Sequence, residues 1–209
     1  SDEEYYETIS KTLYMDELIK RHSEIMSRRD PEGKIGLIVD EWGCWYDVEE
    51  GTNPGFLYQQ NTMRDAIVAA CNLQALILTE GEKMVKTPTY HVFDLFKTHQ
   101  GGELCYSYAD NCQAGGKIPM ISQSASVKDG VLTVTIANCS IDDDAHICCD
   151  IAGENYQNIE CRILDNEVRD YNDFDNCDKV APKEYSAKMT EKGFEIDLPK
   201  CSVVVVTMR

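Results

Sequence analysis

Apolar residues recur at helical spacing through most of the first hundred positions, and alternate with polar ones through much of the remainder. Tyr6, Ile9, Leu13, Leu18, His22, Ile25 and Met26 predict one long helix over residues 2–29, with Ser1 and Glu4 placed to form a capping box. Asp30-Pro31 and Gly33 end it. Ile35, Leu37, Ile38 and Val39, interrupted only by Gly36, read as a strand covered on both faces, as in a parallel sheet. The loop "DVEEGTNPG" leads to a second helix from about Phe56 to Ala70, and helical character continues through "LQALILTEGEKMV". Thr87 and Pro88 form the N-cap and first turn of a further helix carrying Val92, Phe93 and Phe96. After His99-Gln100-Gly101-Gly102 the pattern changes to short strands: "VLTVTIAN" behind the turn Asp129-Gly130, then "HICCDIAG", "FEIDLP" and "SVVVVTMR".

The predicted fold class is therefore α/β plus all-β, with an α/β segment at 1–100 and a β-sandwich at 101–209. A chain of 209 residues with 43% hydrophobic and 27% charged residues can bury a substantial core. Its net charge of -17 repels phosphate backbones and anionic lipid surfaces, so neither nucleic acid nor a membrane is an expected partner. No apolar run reaches the roughly 18 residues of a membrane span, and "SDEEYYETIS" lacks the basic start and apolar segment of a secretion signal. With many cysteines, this points to the cytoplasm. The chain opens in helical text without an initiator methionine, which suggests a fragment or processed product.

The ten cysteines form no C-x-x-C pair, and the four histidines show no ligand spacing, so no metal and no cofactor is expected; buried free thiols are the expectation. The acidic stretches "IDDDA" and "DYNDFDNCD" read as solvated loops, because the second lacks the glycine and ligand positions of an EF-hand.

Chemistry enters where the aliphatic strand ends in Asp40-Glu41. A nucleotide triphosphatase could use such acids to hold magnesium, but Gly33-Lys34 and Gly116-Lys117 are each followed by isoleucine and lack the glycine of a phosphate cradle. In a parallel β/α barrel, by contrast, active sites lie at the C-terminal strand ends. Side chains alternate, so only one of Asp40 and Glu41 can face the axis, and the strand alone does not say which. A carboxylate there would stabilise the oxocarbenium-like transition state of sugar cleavage, with Trp42, Trp45 and Tyr46 as rings for sugar faces or as loop anchors.

"IGLIVDEWGCWYD", "GTNPGFLYQQNTMRDAIVAA", "LTEGEKMVKTPTYHVFDLFKTHQ", "NEVRDYNDFDN" and "VAPKEY" resemble successive blocks of the family 51 α-L-arabinofuranosidases. The resemblance implies the C-terminal remnant of a (β/α)8 barrel followed by an antiparallel, jelly-roll-like β-sandwich. It implies retaining hydrolysis of terminal α-L-arabinofuranosyl residues from arabinan, arabinoxylan or arabino-oligosaccharides. Glu41 matches the catalytic nucleophile on barrel strand seven, with Asp40 beside it and Trp42 in the substrate-binding surroundings.

The same resemblance implies that the acid/base glutamate belongs to an earlier strand that precedes Ser1. Asn166-Glu167 imitates its Asn-Glu motif but falls in the sandwich block and reads as a decoy. Between "IVAAC" and "NLQALI" the family carries a further segment with strand eight and a sugar-contacting glutamine, so Gln74 does not take that role. Cys44 and Cys71 stand at or beside altered places. The isolated chain is expected to be inactive, its barrel segment either completed by the remaining barrel portion or a second copy, or held loosely against the sandwich. The other reading is a non-catalytic carbohydrate-binding or interaction module.

Overall fold

The computed structural model describes residues 1–39, 43–44, 61–71, 77–153 and 155–209. Helices α1 (Asp2–Leu13), α2 (Met15–Ser27), α3 (Met63–Cys71) and α4 (Pro88–Phe96) come first in the chain, with a hairpin of β1 (Ile77–Glu80) and β2 (Lys83–Lys86) before α4. The remaining strands are β3 (Glu103–Cys105), β4 (Gln113–Ala114), β5 (Ile118–Pro119), β6 (Ile121–Lys128), β7 (Val131–Asn138) and β8 (Ala145–Asp150), then β9 (Ile159–Asp165), β10 (Lys183–Tyr185), β11 (Lys188–Met189), β12 (Gly193–Leu198) and β13 (Ser202–Met208).

A six-stranded sheet in the order β10-β9-β13-β7-β6-β3 faces a three-stranded sheet, β11-β12-β8, and their pairings are antiparallel throughout. Alternation along β13 explains why the larger sheet can be covered on both sides. Val204, Val206 and Met208 meet Phe194, Ile196 and Leu198 of β12 in the sandwich core. Val203 and Val205 point the other way, into a second core shared with Ile9, Met63, Ile67, Val92 and Leu95 of the helices. Asp129 and Gly130, with φ of 52° and 76°, supply the turn joining β6 to β7.

The α-helical layer is tied to the sandwich, so the expectation of loose attachment does not hold for α1, α3 and α4. Tyr5 and Tyr6 are buried. The Tyr5 hydroxyl donates to the Cys139 carbonyl at 2.9 Å, and Tyr6 donates to Asp142 Oδ2 at 2.7 Å while accepting from the Ile141 amide. Close approach here demands glycine at 115, where a Cβ would stand 2.5 Å from the Tyr6 ring.

Three expectations are corrected. The helix over 2–29 is two helices meeting at Tyr14. The Thr8 and Thr12 hydroxyls bond back to the Glu4 and Thr8 carbonyls, and the Tyr14 amide closes a tight bond to the Lys11 carbonyl where the first helix ends. The capping box at Ser1 and Glu4 is present as expected. Second, residues 35–39 join no sheet, and Ile35 and Ile38 are 68% and 82% exposed. A parallel strand gains its burial and hydrogen bonds from neighbours on both sides, and the described residues supply none. Third, from residue 77 onward the helical reading of "LQALILTEGEKMV" gives way to the β1–β2 hairpin, with Thr79 opposite Met84 and a turn opened by Gly81, while residues 73–76 lie outside the described ones. Thr87 and Pro88 cap α4 as expected, the Thr87 hydroxyl accepting from the Tyr90 amide.

All ten cysteines are free. The thiols are free as expected, but their burial is mixed: Cys139, Cys161 and Cys201 are buried, whereas Cys112, Cys148 and Cys177 are exposed.

Candidate active site and relatives

Helix α3 is positioned by loop 166–180 of the sandwich. The first amides of a helix lack intrahelical partners. Here Met63 donates to the Asp170 carbonyl at 2.9 Å and Arg64 to the Val168 carbonyl at 3.1 Å. Asp65 reaches back to accept from the Thr62 amide at 2.8 Å. Buried Asn172 holds the loop itself: its amide donates to the Lys86 and Val180 carbonyls at 2.8 Å each, and its oxygen accepts from the Val180 amide at 2.7 Å. Asn61 anchors α4 in turn by donating to the Thr89 hydroxyl and accepting from its amide.

A cavity of about 670 Å³ opens between α1, the start of α2, α3 and this loop. Tyr5, Thr8, Gly43, Cys44, Arg64 and Val168 are among its lining residues. Gly43 and Cys44 directly follow the Asp-Glu-Trp motif in the chain. The carboxylates that line it among the described residues are Glu4 and Glu7. The amino group of Ser1 lowers the pKa of Glu4, and a hydrogen bond from Lys11 lowers that of Glu7. A general acid for glycoside cleavage needs the opposite shift. The cavity therefore offers polar contacts for a ligand, but among its described carboxylates none has the raised pKa of a general acid.

Asp40, Glu41, Trp42, Trp45, Tyr46 and Gln74 lie outside the described residues. Asn166 donates to Asp170 Oδ2 and to the Lys179 carbonyl at 3.3 Å each, and exposed Glu167 faces Lys200 at 3.6 Å. The partners of Asn166 are groups of the loop itself, and that of Glu167 lies on the connection between β12 and β13. Burial alone would raise Asp170, but Lys179 at 2.7 Å together with Asn166 outweighs it and holds the carboxyl below its usual range. Sequence reasoning did not single out Thr8, Arg64 or Val168 as cavity residues. Their signal was weak, because a threonine in a helix and an arginine beside an aspartate serve any surface equally well.

At the far end of α3, Cys71 Sγ lies 3.9 Å from Cys139 Sγ. A hydrogen bond from Cys139 lowers the Cys71 thiol, and the same bond together with burial raises Cys139 well above the ordinary thiol value.

Residues 40–77 and 71–202 match the family described as the alpha-L-arabinofuranosidase C-terminal domain. The two matched stretches overlap at 71–77. An intracellular exo-alpha-L-arabinofuranosidase of Bacteroides ovatus is 33% identical over 238 residues, covering 99% of this chain and 46% of the relative. The crystal structure of the GH51 arabinofuranosidase from Xanthomonas axonopodis pv. citri superposes with a TM-score of 0.88 at 35% identity, over all of this chain and 48% of that one. An alpha-L-arabinofuranosidase from Thermotoga maritima in an arabinose complex gives 0.80 at 21% identity over 97% of this chain and 49% of that chain, a likeness of fold. The chain thus spans about half the length of these relatives. Among the described residues no helix is long and apolar enough to cross a membrane. A sandwich with a helical barrel remnant on one sheet, matched by profile over most of its length, makes this chain a member of the alpha-L-arabinofuranosidase C-terminal domain family, corresponding to the C-terminal part of a GH51 enzyme.

Proposed function

We propose that this chain supplies the nucleophile-bearing part of a retaining α-L-arabinofuranosidase, with Glu41 attacking the anomeric carbon and Trp42 packing against the sugar. The observation that carries the reading is the match to the alpha-L-arabinofuranosidase C-terminal domain, which begins at residue 40 and so takes in the Asp-Glu-Trp motif. A retaining hydrolase needs two carboxyl groups about 5 to 5.5 Å apart, one to attack and one to protonate the leaving oxygen. The described carboxylates of the cavity, Glu4 and Glu7, have lowered pKa values, which does not suit the proton-donating role. In this reading the acid/base is supplied by the part of the relatives that lies outside the match to this chain, and the chain alone is inactive. The substrate class is a terminal α-L-arabinofuranosyl unit on an oligosaccharide or polysaccharide.

Exposed Ile35, Leu37, Ile38 and Val39 support the same reading, because an apolar run left in water marks a surface meant for a partner. The partner in this account is the remaining portion of the barrel. Residues 1–100 then belong functionally to the barrel and 101–209 to the sandwich. A cytoplasmic location accompanies the proposal, supported by the description of the B. ovatus relative as intracellular.

A second reading, a carbohydrate-binding module without catalysis, is favoured by one observation. Tyr106 and Tyr108 beyond edge strand β3 are 94% and 77% exposed, and free tyrosine rings are suited to sugar faces. The two readings separate on incubation with an aryl α-L-arabinofuranoside. The chain is assayed alone and mixed with the N-terminal half of the B. ovatus relative. Aglycone release in the mixture that vanishes with Glu41→Gln supports catalysis. Release in neither, with arabino-oligosaccharide binding lost on Tyr106→Ala, supports the module.

A further inference from the structure

The outer face of the smaller sheet carries a Cys-His-Asp arrangement far in sequence from the Asp-Glu-Trp motif. His146 and Cys148 lie two residues apart on β8 and so project from the same face; Asp197 is the cross-strand partner of His146 on β12. His146 Nδ1 is 2.7 Å from Asp197 Oδ1, and His146 Nε2 is 3.6 Å from Cys148 Sγ. The pairing fixes the tautomer by chemistry. A carboxylate can only accept, so Nδ1 carries the proton and Nε2 is left with its lone pair toward the thiol. Cys149 points inward between the sheets, where burial raises its pKa, so adjacent cysteines have opposite environments.

We propose that Cys148 is a reactive surface thiol, with His146 as its base and Asp197 as the residue that positions the base, and that it undergoes exchange with low-molecular-weight disulfides. In the exchange His146 Nε2 takes the Cys148 proton and the thiolate attacks one sulfur of the disulfide. The Cys148 sulfur–sulfur bond forms as the reagent's bond breaks, and the departing thiolate leaves as a thiol with the proton from His146. Cys148 is oxidised and one reagent sulfur is reduced, so no further oxidant is needed.

The surroundings also select the reagent. A cleft of about 340 Å³ beside Cys148 is lined by Asp150, Glu191, Lys192 and Glu195, and Lys188 is paired with Glu195 at 3.1 Å. With Asp197 added, carboxylates outnumber lysines, on a chain of net charge -17. A cationic disulfide is attracted to this face and an anionic one repelled, most strongly at low ionic strength.

The test is site-resolved mass spectrometry of the intact chain at neutral pH, with cystamine and glutathione disulfide as reagents. Cys112 and Cys177, the two other exposed thiols, act as internal references. Cys148 is expected to exchange fastest with cystamine, more slowly with glutathione disulfide, and with a gap that narrows as salt is added. His146→Gln is expected to slow Cys148 by roughly tenfold, below the ~10²–10⁴ of an enclosed general base because this site is open to water. Asp197→Asn should slow it less, and neither variant should alter Cys112 or Cys177, which separates loss of the base from loss of fold. Equal rates at the three exposed thiols, or a Cys148 rate unchanged in His146→Gln, would overturn the proposal.

Discussion

His91 and His99 show how single side chains couple this fold to pH. His99 bridges the helical layer to the larger sheet: Nδ1 is 2.7 Å from the Ser126 hydroxyl and Nε2 is 3.0 Å from that of Thr135. Hydroxyls can donate or accept, so a neutral imidazole satisfies both. Burial lowers the pKa of His99; burial, and then the Lys86 charge, lowers that of His91. A lowered folded pKa means that the unfolded chain binds more protons once pH falls below the ordinary imidazole value of 6.5. Their contribution to stability is therefore complete above that value and declines as pH falls toward the folded pKa. Urea midpoints are expected to drop between about pH 7 and about pH 5.5, and to drop less in His99→Gln, which keeps hydrogen-bonding atoms but cannot titrate there. Identical slopes in the two proteins would contradict this. Tyr5→Phe is expected to cost about 1–3 kcal/mol, because the Cys139 carbonyl loses its buried donor; the same midpoints report it.

Among the elements, the contact between α3 and loop 166–180 decides how the helical layer sits. Asn172 makes three backbone hydrogen bonds from a fully buried position. Asn172→Ala strands those groups and should destabilise by about 3 kcal/mol or more, since each unsatisfied buried group costs on the order of 1–3 kcal/mol. A change below about 0.5 kcal/mol, the range of ordinary surface substitutions, would show that the loop does not clasp the helix. The sequence made some elements readable and hid others for physical reasons. β7 and β13 were legible because alternation and turn residues agree, and α4 because Thr87-Pro88 leaves little choice of start. The hairpin of β1 and β2 is hard to read because its few apolar positions fit either period, and the turn rests on the single residue Gly81. The clasp of Asn172 could not be seen at all, since its partners at Lys86 and Val180 are backbone groups that leave no trace in side-chain pattern.

On the scale of the whole molecule, a β-sandwich bears a barrel remnant on one sheet. The sandwich core closes on itself through β12 and β13, while α1, α3 and α4 cover the outer face of the larger sheet. Beyond them, α2 buries none of its residues and the run 35–39 lies open to water. What the sequence offers of the candidate site is a motif, a carboxylate at the end of an aliphatic run, and its residues 40–42 lie outside the described ones. Its enclosure was not legible, because a barrel site is assembled from several strands and this chain spans about half of its relatives' length. Completing the barrel should also stabilise the chain, since a partner that binds only the folded state raises the unfolding midpoint in proportion to the logarithm of its concentration. Titration with the N-terminal half of the B. ovatus relative is expected to give that rise, and a midpoint indifferent to it would count against a shared barrel.

The most direct measurement is to quench the mixture of the two halves during turnover of an activated α-L-arabinofuranoside and map the covalent adduct by peptide mass spectrometry. The account predicts one arabinofuranosyl unit on Glu41, absent in Glu41→Gln together with aglycone release. Sugar bound to any other residue, or undiminished release by the Glu41→Gln mixture, would contradict it.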